Sequence, residues 1–138
     1  MKIVLDTNVL VSGLLQPFGP PGQIVRLVAS GDLVLCHDPR ILAEYEDVLL
    51  REKFGLDPER VEILLQEIRT VGVPVAAPPL AVRLPDVDDE PFLEVARAGG
   101  AQCLVTGNVK HYPAKARSGV EVLSPRSFVE MHRAHLGR

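Results

Sequence analysis

Apolar positions along this chain fall into short unbroken runs and into stripes of helical period, and the two alternate from end to end. Residues 2–6, 33–36 and 103–106 read as short buried strands, and Val73 to Ala76 and Val120 to Leu123 as two more. Helical patterns cover residues 8–16, 23–30, 39 to about 54, 58 to about 70, 90–98 and 125 to about 135. Three of them open on the same signal, a capping side chain followed by proline: Asp38-Pro39, Asp57-Pro58 and Ser124-Pro125. Gly31, Gly55 and Gly99-Gly100 mark helix ends. The stretch from Gln16 to Gly22 breaks the chain, and residues 77–91, with Pro78, Pro79, Pro85 and Pro91, form an extended connection. Unbroken apolar strands alternating with helices predict an α/β fold with a central parallel sheet covered on both faces, and the strand from Lys2 to Asp6 is expected in its interior. Polar residues at the carboxyl ends of such strands are where chemistry collects.

Length and composition narrow the setting. The chain has 138 residues, one domain by size, with 46% apolar residues and a mean hydropathy of +0.15, enough for a single filled core. No apolar run reaches 18 residues, so no membrane span is expected. The apolar start is interrupted by Asp6, too early for a signal peptide, and a cytoplasmic protein is expected. Cys36 and Cys103 lie in apolar runs and read as reduced core residues. Net charge is −3, which argues against gripping nucleic acid by bulk charge. The charge is unevenly spread, however. Residues 1–95 carry 8 Lys and Arg against 16 Asp and Glu; residues 96–138 carry 7 against 2. Either this reflects ordinary solvated faces, or an acidic site that needs cations lies beside a basic surface for phosphates.

Four places carry candidate chemistry. Asp6-Thr7-Asn8 ends the first strand and could equally cap the following helix. Glu44 and Glu46 both flank the apolar stripe Ile41, Leu42, Tyr45, Val48 and Leu49, and periodicity does not choose between them. Glu44 is nearer the helix start and hence the carboxyl end of the preceding strand. Asp86-Val87-Asp88-Asp89-Glu90 packs four carboxylates into five residues, more than capping needs, and their repulsion calls for a cation or full solvation. Thr106-Gly107-Asn108 ends a strand and suits either a tight turn or an amide facing a crevice. Such oxygen donors suit Mg²⁺ or Mn²⁺. Zinc is disfavoured because Cys36, His37, Cys103, His111, His132 and His135 lack paired ligand spacing.

These segments resemble the PIN-domain family, and within it the small predicted toxin components of toxin–antitoxin pairs. The resemblance is carried by Ile3-Val4-Leu5-Asp6-Thr7-Asn8-Val9-Leu10, Ile41-Leu42-Ala43-Glu44-Tyr45, Asp86-Val87-Asp88-Asp89-Glu90-Pro91-Phe92-Leu93 and Leu104-Val105-Thr106-Gly107-Asn108, in the family's order. It implies a three-layer fold with five parallel strands, a metal held by Asp6, Glu44 and Asp89, and Asn108 as the fourth site residue. It implies cleavage of RNA to 5′-phosphate and 3′-hydroxyl ends, homodimers and an antitoxin partner. A further acid that often follows in the family is replaced here by Lys110-His111-Tyr112, which favours one firmly held metal over two.

On this reading Mg²⁺ or Mn²⁺ neutralises a non-bridging phosphate oxygen and acidifies a water for attack on phosphorus. Asn108 orients that water or the phosphate. Thr7 and Asn8 are expected to support the Asp6 carboxylate, with Asp88 and Thr106 as further supports. Lys110, His111, Lys115 and Arg117 are candidates for holding RNA, with Tyr112 as a stacking face, although an ordinary polar loop would read the same. Two other classes stay open: a non-catalytic RNA-binding or assembly module with a degenerate site, and a phosphotransfer enzyme built on Asp6. The second usually needs another aspartate two positions on, where this chain has Asn8.

Overall fold

The structure, a computed structural model, describes residues 1–137. Lys2–Leu5 forms β1, which pairs in parallel with β2, Val34–His37, on one side and with β4, Leu104–Val105, on the other. β3, Val73–Pro74, continues beyond β2, and β5, Val122–Leu123, beyond β4. The order is β3-β2-β1-β4-β5, all parallel, so β1 is the central strand. Ile3, Val4 and Leu5 are fully buried, as a strand covered on both faces requires. This is the expected three-layer α/β architecture.

Six α-helices flank the sheet among the described residues: α1, Thr7–Leu15; α2, Pro20–Ala29; α3, Pro39–Leu49; α4, Pro58–Val71; α5, Glu90–Ala98; and α6, Pro125–Leu136. The three capping signals act as the sequence suggests. Asp38 accepts from Ile41 N, Asp57 from Glu59 N and Ser124 from Ser127 N.

The outer strands are shorter than expected, two residues each in β3 and β5, and two helix boundaries differ by more than one residue. α2 begins at Pro20, inside the stretch read as a break, because prolines are at home in a first helical turn, where the missing N–H is not needed. α3 ends at Leu49, its last buried position. Arg51 is extended, and a separate 3₁₀ turn, Glu52–Phe54, closes on Gly55 in the left-handed region at φ 61°. On α4 the apolar positions Leu64, Leu65 and Ile68 are buried in the chain's own core, and Ile63 is exposed, at 71%. No helix is long and apolar enough to cross a membrane among the described residues.

The connection before α5 is strapped to it. Glu94 accepts the Leu80 amide at 2.9 Å and pairs with Arg40 at 2.7 Å; Glu90 accepts the Leu84 amide at 3.0 Å and pairs with Arg83 at 2.9 Å. Both glutamates are buried, and buried carboxylates need such partners. The strap fixes where Asp86, Asp88 and Asp89 enter α5. From β1 the chain runs outward through β2 and β3, then returns across to β4. The switch point therefore lies between the carboxyl ends of β1 and β4, where an open α/β sheet leaves a crevice.

Candidate active site

Asp6 follows β1 at this switch point. It occupies the N-cap position of α1 with extended backbone, yet its side chain makes no capping bond. Instead its Oδ2 accepts from Thr106 Oγ1 and from the Tyr112 hydroxyl, each at 2.9 Å. Thr106 closes the same junction from β4 and also accepts the Asn108 amide at 3.0 Å. Asn8 spans to the loop after β4 by accepting the Gly107 amide at 3.0 Å. A Cβ at Gly107 would stand 3.3 Å from that Asn8 oxygen, a tight contact that would require the Asn8 side chain to shift slightly.

Glu44 is brought in by the rotation of α3. Ile41, Tyr45 and Leu49 are buried, and the Tyr45 hydroxyl donates to the Leu5 carbonyl at 2.6 Å, tying the helix to the end of β1. That leaves Glu44 on the crevice side, where it accepts from the Thr7 hydroxyl. Glu46 turns to α4 and pairs with Arg69 at 3.2 Å, which separates the two glutamates that periodicity left equal.

In the acidic segment the capping work falls to Asp86, which accepts the Asp88 amide at 2.9 Å. Asp88 is exposed. Asp89 occupies the N-cap of α5 without capping it, and its buried Oδ2 has no hydrogen-bond partner. His111 Nδ1 stands 3.5 Å from that oxygen, within ion-pair reach but too far for a hydrogen bond.

The three carboxylates share an electrostatic environment. Burial raises the Asp6 pKa, against the hydrogen bonds from Thr106 and Tyr112; the Thr7 and Asn8 amides lie near enough to offset it a little. Burial raises Glu44 as well. The Thr7 bond opposes this, and Asp6, Asp88 and Asp86 add to it. Asp89 is pushed up to about 6, first by burial and then by Asp6 and Asp86, with His111 opposing and Glu44 adding. Negative charge here is therefore not compensated by the protein.

As they stand, no three such side chains among the described residues are close enough together to hold a metal ion. The donor set nevertheless fits one. Its oxygens are hard donors, its charge is uncompensated, and one buried carboxylate oxygen is left without a partner. A divalent cation would have to draw the three groups together.

Several supporting roles differ from expectation. The Thr7 hydroxyl goes to Glu44 on α3, while its amide, with that of Asn8, lies against the Asp6 carboxylate. Asn8 holds the Gly107 loop. Thr106 and Tyr112 support Asp6. Tyr112 is fully buried and offers no stacking face. A buried tyrosine needs a partner for its hydroxyl, and that requirement was the available signal. Arg117 is half-buried, with its Nε donating to the Tyr112 carbonyl at 2.7 Å. Asn108, Lys110, His111 and Lys115 are exposed on the loop after β4.

These features define a small α/β domain with an acidic crevice at the switch point of a parallel sheet. The PIN domain family matches residues 2–110, and the chain belongs to that family. The match includes Asp6, Glu44, Asp89 and Asn108 and ends before Tyr112. An uncharacterized protein of Methanocaldococcus jannaschii, MJ1680, is 31% identical over 112 residues, covering 78% of this chain and 71% of that protein. Membership brings a nuclease-type fold.

Proposed function

We propose that this protein is a metal-dependent endoribonuclease, the toxin of a toxin–antitoxin pair, which hydrolyses RNA phosphodiester bonds using Mg²⁺ or Mn²⁺ on Asp6, Glu44 and Asp89. One observation carries the proposal: three carboxylates from three separate elements lie near enough that Asp6 raises Glu44 and both raise Asp89, and Asp89 keeps a buried oxygen unpartnered. The bound cation would supply charge for a non-bridging phosphate oxygen and acidify a water.

The chain's own residues do the rest. Thr106 and Tyr112 fix Asp6, and Thr7 fixes Glu44. Asn108, exposed at the rim, orients the scissile phosphate. Lys110 and Lys115 offer cations to the RNA backbone, and His111 stands beside them. A homodimer and an antitoxin partner belong to the same proposal.

A second reading, a non-catalytic RNA-binding module, has one observation in its favour: the carboxylates stand too far apart to share a cation without moving. A single experiment separates the two. Mn²⁺ should raise the melting temperature of the wild type, since it binds the folded site and hardly the unfolded chain. Asp6→Asn should abolish cleavage of single-stranded RNA and leave the metal-free protein as stable or more stable, because a buried charge is removed while an amide oxygen still accepts from Thr106 and Tyr112. An unmoved wild-type melting temperature, together with undiminished cleavage by Asp6→Asn, would reject the nuclease reading.

A further inference from the structure

The two side-chain donors to Asp6 stand on one oxygen. Thr106 Oγ1 and the Tyr112 hydroxyl both reach Oδ2 at 2.9 Å, and no side chain among the described residues donates to Oδ1. Two donors satisfy the lone pairs of one carboxylate oxygen. Tyr112 cannot easily swing away. It is fully buried, its amide donates to the Val109 carbonyl at 3.1 Å, and its own carbonyl takes the Arg117 Nε at 2.7 Å.

We infer that Tyr112 is a positioning residue which, with Thr106, holds Oδ2 of Asp6 out of metal coordination and so biases the site toward a small six-coordinate cation and against Ca²⁺. The inference rests on the metal-site reading above. Mg²⁺ and Mn²⁺ suit carboxylates that offer one oxygen in an octahedral set, whereas Ca²⁺ takes more oxygens and readily uses both of a carboxylate. An Asp6 with one oxygen engaged by two hydroxyls is restricted to the first mode. Removing one hydroxyl frees Oδ2 and opens the second.

The test is calorimetric titration of the full chain with Mn²⁺ and, separately, Ca²⁺, for wild type, Tyr112→Phe and Thr106→Val. The phenylalanine keeps the ring and removes only the hydroxyl. The wild type should favour Mn²⁺. In Tyr112→Phe the Mn²⁺ Kd should rise about tenfold, as is usual on losing a residue that orients a ligand, while Ca²⁺ loses less, so that the Ca²⁺-to-Mn²⁺ affinity ratio rises by about threefold or more. Thr106→Val, which removes the other donor, should move the ratio the same way, and it carries the test should Tyr112→Phe fail to fold. A tyrosine serving only the fold would lower the melting temperature and weaken both cations alike. An unchanged ratio in folded variants of a wild type that binds Mn²⁺ therefore overturns the inference and leaves the active-site reading intact. A wild type that binds neither ion, or an Asp6→Asn variant that binds Mn²⁺ as well as wild type, removes the site reading and this inference with it.

Discussion

Asp6 and Asp89 both stand at a helix start, and neither side chain caps it. A short acid in that position usually satisfies an amide of the first turn. Here Asp6 is held by two hydroxyls and Asp89 is left with a bare buried oxygen, so both carry more charge than their surroundings balance. Asp89 gives the clearer consequence. Its carboxyl is pushed up to about 6 from an ordinary value of 3.8, so the folded state prefers it protonated. The stability this contributes is complete below pH 4 and is lost as pH rises through about 6. Melting curves of metal-free wild type and Asp89→Asn should nearly coincide near pH 4 and separate toward pH 7, with the variant the more stable. The gap is bounded at about 3 kcal/mol, and the side chain is only 14% exposed, so screening removes little of it. Parallel curves across that range would show that Asp89 is not in a charged, desolvated site.

At the scale of elements, the acidic segment is placed by α5, through the strap that Glu90 and Glu94 hold. Neither glutamate faces the crevice, yet both decide where the chain enters it. Glu94→Ala would leave the Leu80 amide without its side-chain acceptor and Arg40 paired with Asp38 alone. The expected loss is about 1 kcal/mol of unfolding free energy, measurable in urea, since one intramolecular hydrogen bond to a charged acceptor is lost at a partly buried amide. Cleavage should fall with it, because Asp86 to Asp89 lose their anchor. A variant as stable as wild type would mean that the connection is not held by this residue. α3 works in the same way: Tyr45, bonded to the Leu5 carbonyl, sets the rotation that puts Glu44 rather than Glu46 at the crevice.

For the whole molecule, the uneven charge becomes spatial. Asp6, Glu44 and Asp89 lie near one another at the switch point, and Lys110, His111 and Lys115 are exposed on the loop that leaves β4. Reversing the charge of Lys110 and Lys115 together should raise KM for RNA more than it lowers kcat and should flatten the salt dependence of binding. An unchanged KM would remove these lysines from the substrate path. Arg117 is left out of that pair because its Nε is committed to Tyr112. The proposed homodimer is tested at Ile63, exposed beside Leu14, Arg60 and Glu67 in a shallow hollow between α2 and α4. Light scattering should report twice the chain mass for wild type and a single chain for Ile63→Glu. A wild-type monomer at high concentration would exclude the dimer.

The alternation of apolar runs and helical stripes determined the fold class and the central place of β1, because a strand buried on both faces must be apolar without alternation. The caps at Asp38, Asp57 and Ser124 were local chemistry and were legible for that reason. The acidic segment from Asp86 to Glu90 stood out likewise, since four carboxylates in five residues exceed what a helix start can use. What the sequence left open was which partner each polar side chain takes, and tertiary structure alone decided that. Glu44 and Glu46 are equivalent until α4 supplies Arg69 to one and the turn after β1 supplies Thr7 to the other. Tyr112 sits in a basic loop and looks solvated until the fold buries it against Asp6, 106 residues away in sequence. Periodicity reports which face of an element is covered; it carries no information on which distant oxygen a buried hydroxyl will find, because that depends on how the sheet is ordered and where its switch point falls.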